Sequence, residues 1–167
     1  MPFMINISHE QYMKQALREA ERAAALGEVP VGCVIVLNDQ IIGRGYNQRE
    51  MLQDPTAHAE MIAITAAASH CGSWRLEGAQ LYVTLEPCPM CAGAIILARI
   101  DAVYFGAWDP KAGCSGSLMN LLEDTRFNHQ PQVTGGICEE ACGGMLSNFF
   151  RNIRDNQKME KRQRNGG

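Results

Sequence analysis

LYVTLEPCPMCAGAIILARIDAVYF, residues 81–105, reads as strand, helix, strand. Leu81 to Leu85 is a short apolar run with β-branched and aromatic members, and Glu86-Pro87 closes it. Cys88 to Arg99 has the length and the alanine, isoleucine and leucine content of a helix, and Ala102 to Phe105 returns as a strand. Two strands joined through a crossover helix lie parallel in one sheet. An α/β sandwich around a single sheet is the expected class.

The flanking sequence extends this pattern in both directions. Upstream, Asp54-Pro55-Thr56 is a helix-start signal for an alanine-rich helix from Ala57 to His70, which Cys71-Gly72-Ser73 stops. Val31 to Leu37 and Ile41 to Tyr46 are strands about a tight Asn38-Asp39 turn. Ser8 with Gln11 forms a capping box for a first helix whose face is Tyr12, Met13, Ala16, Leu17, Ala20, Ala23 and Ala24, ended by Gly27. Downstream come a polar, glycine-containing loop from Gly106 to Gly116, a short helix over Leu118 to Leu122 and a strand over Gln132 to Thr134. A last helix starts near Cys138, with Ala141, Met145, Leu146, Phe149 and Ile153 as its apolar face. Residues 1–155 are expected to form one domain, and residues 156–167 a basic tail that continues the last helix and frays.

With 167 residues, 46% hydrophobic and 20% charged, the chain can bury a real core and is neither disordered nor collagen-like. No apolar run approaches the roughly 20 residues of a membrane span, and the first residues lack a secretory pattern, so a cytoplasmic protein is expected. Net charge is −3 but unevenly spread: residues 151–167 carry six basic and two acidic groups, leaving an acidic body. Such a tail suits a polyanion such as RNA, or is a solvated helix end. Seven cysteines without a secretory signal point to metal ligation or buried thiols rather than a disulfide framework.

Two segments carry chemistry: His58-Ala59-Glu60 at a helix start, and Pro87-Cys88-Pro89-Met90-Cys91 where a strand gives way to a helix. One imidazole and two thiolates suit Zn²⁺, and cysteines three apart in a first helical turn face the same way. His58 and Glu60, two apart, point about 200° apart on a helix, which makes Glu60 a partner to a water beside the metal rather than a ligand. Three protein ligands leave a fourth position open, as in catalytic zinc sites. A fourth ligand from Cys33, Cys71, Cys114, Cys138 or Cys142 would instead close a structural site. Cys138 and Cys142, four apart, read as buried thiols.

This pattern resembles the zinc nucleobase deaminases. More closely, the chain is similar to the bacterial tRNA-specific adenosine deaminases, through Glu28-Val29-Pro30-Val31-Gly32, Gly45-Tyr46-Asn47, Asp54 to Glu60, Leu81 to Cys91, Asp109-Pro110-Lys111, Gly116-Ser117-Leu118-Met119 and Phe149-Phe150-Arg151. The resemblance implies a cytidine-deaminase-like three-layer α/β/α sandwich around one mixed five-stranded sheet. It implies one Zn²⁺ per subunit on His58, Cys88 and Cys91, and a homodimer with active sites near the subunit interface. The implied reaction is hydrolysis of the wobble adenosine of a tRNA anticodon stem-loop to inosine, in an arginine tRNA with an ACG anticodon, releasing ammonia. Glu60 would shuttle protons. Asn47, Val29, Pro30 and Ala59 would hold the base, and Asp109, Lys111, Phe149, Phe150 and Arg151 would face the RNA.

Plainer readings stand beside these roles. Asn47 can end a strand, Val29 and Pro30 can be strand-entry residues, and Asp109-Pro110-Lys111 can be a turn. Phe149 and Phe150 point about 100° apart on a helix, so one can be core while the other stacks on a base. Two other functions share the motifs: deamination of free cytosine, guanine or cytidine, and RNA binding around a structural zinc without catalysis.

Overall fold

The computed structural model describes the backbone of residues 2–166 and the side chains of residues 9–166. Five strands form one mixed sheet in the order β2-β1-β3-β4-β5: β1 Gly32–Leu37, β2 Gln40–Tyr46, β3 Gln80–Leu85, β4 Ala102–Ala107 and β5 Gln132–Thr134. Five helices flank it: α1 Pro2–Ala25, α2 Arg49–Leu52, α3 Ala59–Cys71, α4 Pro89–Ala98 and α5 Glu139–Asn165. As expected, β3 and β4 run parallel through α4, with Leu81 beside Val103 and Val83 beside Phe105. The β1–β2 hairpin turns through Asn38 and Asp39, both left-handed at φ 50° and 61°, which matches the twist of the strands.

Alternation along the buried strands sorts the helices into two layers. Cys33, Ile35, Leu81, Val83, Val103 and Phe105 meet α3 and α4 on one face. Val34, Val36 and Tyr82 meet Met13 and Ala16 of α1 and Cys142 of α5 on the other. The result is the three-layer sandwich. Tyr82 is fully buried, and its hydroxyl is hydrogen-bonded to His9 Nδ1 at 2.6 Å. His129 Nε2 donates to the Ile100 carbonyl at 2.7 Å.

Close backbone approach fixes the height of two helices. A Cβ on Gly45 of β2 would fall on the Ala59 carbonyl of α3, and one on Gly32 would fall on the Ala16 carbonyl of α1. Ala59, Ala63 and Ala67, one turn apart and fully buried, give α3 the small face this contact needs.

Several boundaries differ from the sequence reading. The first helix runs from Pro2 through Ser8, so Ser8 does not cap it; proline is well tolerated in a first turn. The side chain of Ser8 lies outside the described residues. α2 was not expected: its Glu50 and Met51 N–H groups are capped by the buried Glu28 carboxylate, at 2.9 and 2.8 Å. The expected helix over 118–122 is a 3₁₀ turn at Leu121–Glu123, pinned by the buried Leu122. On α5 the core residue is Cys142, while Ala141 and Ile153 are exposed. Cys142 packs where Gly106 of β4 has no side chain.

Candidate active site

Two helix N-termini converge beyond the carboxyl ends of β3 and β4, where open α/β sheets place their sites. His58 is the N-cap residue of α3, and Cys88 is the N-cap residue of α4. Both have extended backbones, so their side chains reach past the helix ends. Pro89 begins α4, where its missing N–H costs nothing, and Cys91 follows in the same turn.

The ligand atoms of His58, Cys88 and Cys91 all lie within 4.8 Å of one another. Both sulfurs stand 3.5 Å from His58 Nδ1. Tetrahedral zinc, with bonds of about 2.3 Å to sulfur and about 2.0–2.1 Å to nitrogen, sets those atoms about 3.6 Å apart. The residues fit that ion. Among the described residues no other His, Cys, Asp or Glu joins the group, so Cys33, Cys71, Cys114, Cys138 and Cys142 supply no fourth ligand.

Electrostatics favour a thiolate at Cys88, while its hydrogen bond to Cys88 and its burial hold the Cys91 thiol well above the ordinary range. The Cys88 thiol is pulled down to about 4, chiefly by a hydrogen bond from the Cys91 thiol and further by His58, against the cost of burial. His58 is raised by its hydrogen bond to Cys88. The helix N-termini add partial positive charge from their unpaired N–H groups. Glu60, in the first turn of α3, is 4% exposed and lies outside the ligand group. Burial, with the nearby Cys88 charge, pushes its carboxyl up to about 7.

The site floors a cleft of about 610 Å³. Of the residues singled out in the sequence, His58, Glu60, Cys88, Val29, Asn47, Ala59, Asp109, Lys111 and Phe150 line it. Cys91 is buried beneath, beside His58. Pro30 is buried outside the lining, Phe149 packs edge-on against Phe150, and Arg151 is exposed beyond the rim. Asn47 is tied to the chain itself: its Nδ2 donates to the Val29 carbonyl at 3.2 Å, and its Oδ1 accepts from the Arg49 N–H. One Nδ2 hydrogen still remains for a ligand.

Sequence reasoning missed Arg49, Trp108, Ser147 and Glu86, which also line the cleft. Glu86 left one signal, an acid at the end of an apolar strand. The others left none.

The description "Cytidine and deoxycytidylate deaminase zinc-binding region" belongs to the family model that matches residues 6–107. The chain is 58% identical to the tRNA-specific adenosine deaminase of Bacillus subtilis over 153 residues, 92% of this chain and 95% of that one. It is 47% identical to the enzyme of the same name from Haemophilus influenzae, over 91% of this chain and 88% of that one. A solved structure from work on A-to-I editing by tRNA:A34 deaminases at the wobble position superposes with a TM-score of 0.79 at 44% identity. It covers 81% of this chain and 99% of that one.

Proposed function

This chain belongs to the zinc-binding cytidine and deoxycytidylate deaminase family, and within it to the tRNA-specific adenosine deaminases; from that premise we propose that it hydrolyses the wobble adenosine A34 of tRNA to inosine and ammonia. One observation carries the reading: His58, Cys88 and the buried Glu60 carboxylate share the floor of one cleft, with Cys91 just beneath completing a set of three donors that Glu60 stands outside.

Zinc bound by His58, Cys88 and Cys91 supplies the Lewis acidity that makes water a nucleophile near neutral pH. Glu60 takes the proton of the attacking water and passes it to N1 of the flipped adenine. It then takes the second proton of the same water, now on the C6 hydroxyl, and delivers it to the exocyclic nitrogen, so that C6=O forms, the C6–N bond breaks and ammonia leaves. Val29, Ala59 and Asn47 form the base-facing wall. Phe150, 43% exposed on the lip, offers an aromatic face for stacking. Asp109, Lys111, Phe149 and Arg151 are assigned to the RNA-facing rim and its support; Pro30, expected to hold the base, is buried outside the lining and takes no direct contact.

An arginine tRNA with an ACG anticodon is the substrate we assign. Mass spectrometry of its nucleosides after incubation is expected to show adenosine replaced by inosine. Consumption of free cytosine with no inosine in the tRNA would move the protein to the free-base deaminases.

A homodimer fits the exposed apolar side chains of Met51 and Leu52 on α2, the helix whose Arg49 lines the cleft, and of Leu118 and Met119 beyond the cleft loop. Action on tRNA places the work in the cytoplasm. No helix among the described residues is long and apolar enough to cross a membrane.

α5 gives the RNA a second contact. Leu146, Ser147 and Phe150 line the cleft, and the same helix continues exposed to Asn165. Arg151, Arg154, Lys158, Lys161 and Arg162 follow at helical spacing along one face, spanning about 16 Å. Removal of residues 156–167 is expected to weaken tRNA binding and flatten its salt dependence. A protein that keeps Z phosphate contacts loses affinity with a log–log slope of about −0.7Z to −0.9Z. Equal slopes for the shortened and full chains would return the tail to the role of a solvated helix end.

A further inference from the structure

We propose that Glu86 is a positioning residue for RNA: it holds the loop Trp108–Ser117, one wall of the cleft, in its substrate-binding shape. It thereby sets how tightly the anticodon loop binds while sparing the deamination step. The proposal rests on the reading of this cleft as an RNA-editing site.

Glu86 follows β3, is 2% exposed, and donates its own N–H to the Ala107 carbonyl at the end of β4, at 2.9 Å. Both carboxylate oxygens are taken up by the loop. Oε1 accepts from the Asp109 N–H at 3.0 Å and from the Ser117 hydroxyl. Oε2 accepts from the N–H groups of Ser115 at 3.1 Å and Ser117 at 2.9 Å. One side chain therefore closes the loop at both ends. Gly113 lies against the carboxyl group, where a Cβ would overlap it.

Among the described residues Glu86 has no cationic partner, so its charge is balanced by loop N–H and O–H groups alone. Hydrogen bonds to a charged acceptor are the strong ones, which suits an anchor. With every donor aimed at it from the loop, Glu86 has no free oxygen to move a proton in the reaction. What it does control is where Trp108, Asp109 and Lys111 stand in the cleft. The other tie from this loop to the end of β3 is the bond from the Cys114 N–H to the Pro87 carbonyl, at 2.8 Å.

Glu86→Gln isolates the effect. Glutamine keeps the volume but offers one oxygen. Whichever way its amide turns, an NH₂ group faces a backbone N–H, that of Asp109 or those of Ser115 and Ser117. The expected result is a KM for the tRNA raised at least about tenfold, with kcat within about threefold of the parent and one zinc per chain. Trypsin should also cut faster after Lys111, in the loosened loop.

Ser117→Ala, at an exposed position, removes one of the four donors and should raise KM about threefold to fivefold in the same pattern. If Glu86→Gln does not fold, Ser117→Ala decides alone. Unchanged KM and unchanged cleavage after Lys111, or a fall in kcat at constant KM, overturns the proposal. No inosine from the parent protein would instead remove the functional reading, while the cleavage comparison still tests the anchor.

Discussion

Glu60→Gln is expected to hold one zinc per chain and bind the anticodon stem-loop as the parent does, yet form inosine about 10²–10⁴-fold more slowly. The substitution preserves shape and removes only the ability to accept a proton. Folding is spared for a physical reason: the side chain is 4% exposed, and glutamine places no charge there. Metal binding is spared because Glu60 stands outside the group formed by His58, Cys88 and Cys91. Single-turnover assays with excess enzyme read the chemical step directly, and metal analysis with fluorescence anisotropy reads the two retained properties. Inosine at the parent rate would take Glu60 out of the reaction. Loss of zinc would make it a ligand.

Cys91→Ala attacks the other half of the site. It leaves two donors where zinc needs at least three from the protein, so metal content should fall well below one per chain and inosine formation should vanish. Chelation supplies a second reading. A ligand that binds only the folded state stabilises it, so a chelator should lower the melting temperature of the parent and leave that of Cys91→Ala unmoved. Cys71→Ser is the control, because Cys71 is exposed and outside the ligand group; it should match the parent in both metal and activity. Full zinc occupancy in Cys91→Ala would show that the ion is held elsewhere.

What the sequence made legible depended on how local the cause was. Strands β1, β3 and β4 are runs of buried apolar residues bounded by turns, and these show in composition alone. The two motifs show because metal ligands and helix starts have short spacings. α2 was invisible because four residues carry no periodicity and its cap, Glu28, comes from 22 residues upstream. Glu86 anchors donors 23 to 31 residues further on, a relation no local pattern records. The apolar face of α5 was misread at Ala141 because the deciding contact is a missing side chain on Gly106, in another element. Asn47 is a related case: its position at a strand end was legible, but its bonds to Val29 and Arg49 were not.

The glycine-on-alanine contact between β2 and α3 has one more effect. A joint made of bare peptide planes offers no rotamers to choose again, so it has almost no play. Heating, or a substitution elsewhere in the interior, can rearrange neighbouring side chains without altering how far His58 stands above the sheet. The metal geometry should accordingly hold constant across a wide thermal range and then disappear together with the sheet, giving an activity curve with a cliff rather than a slope.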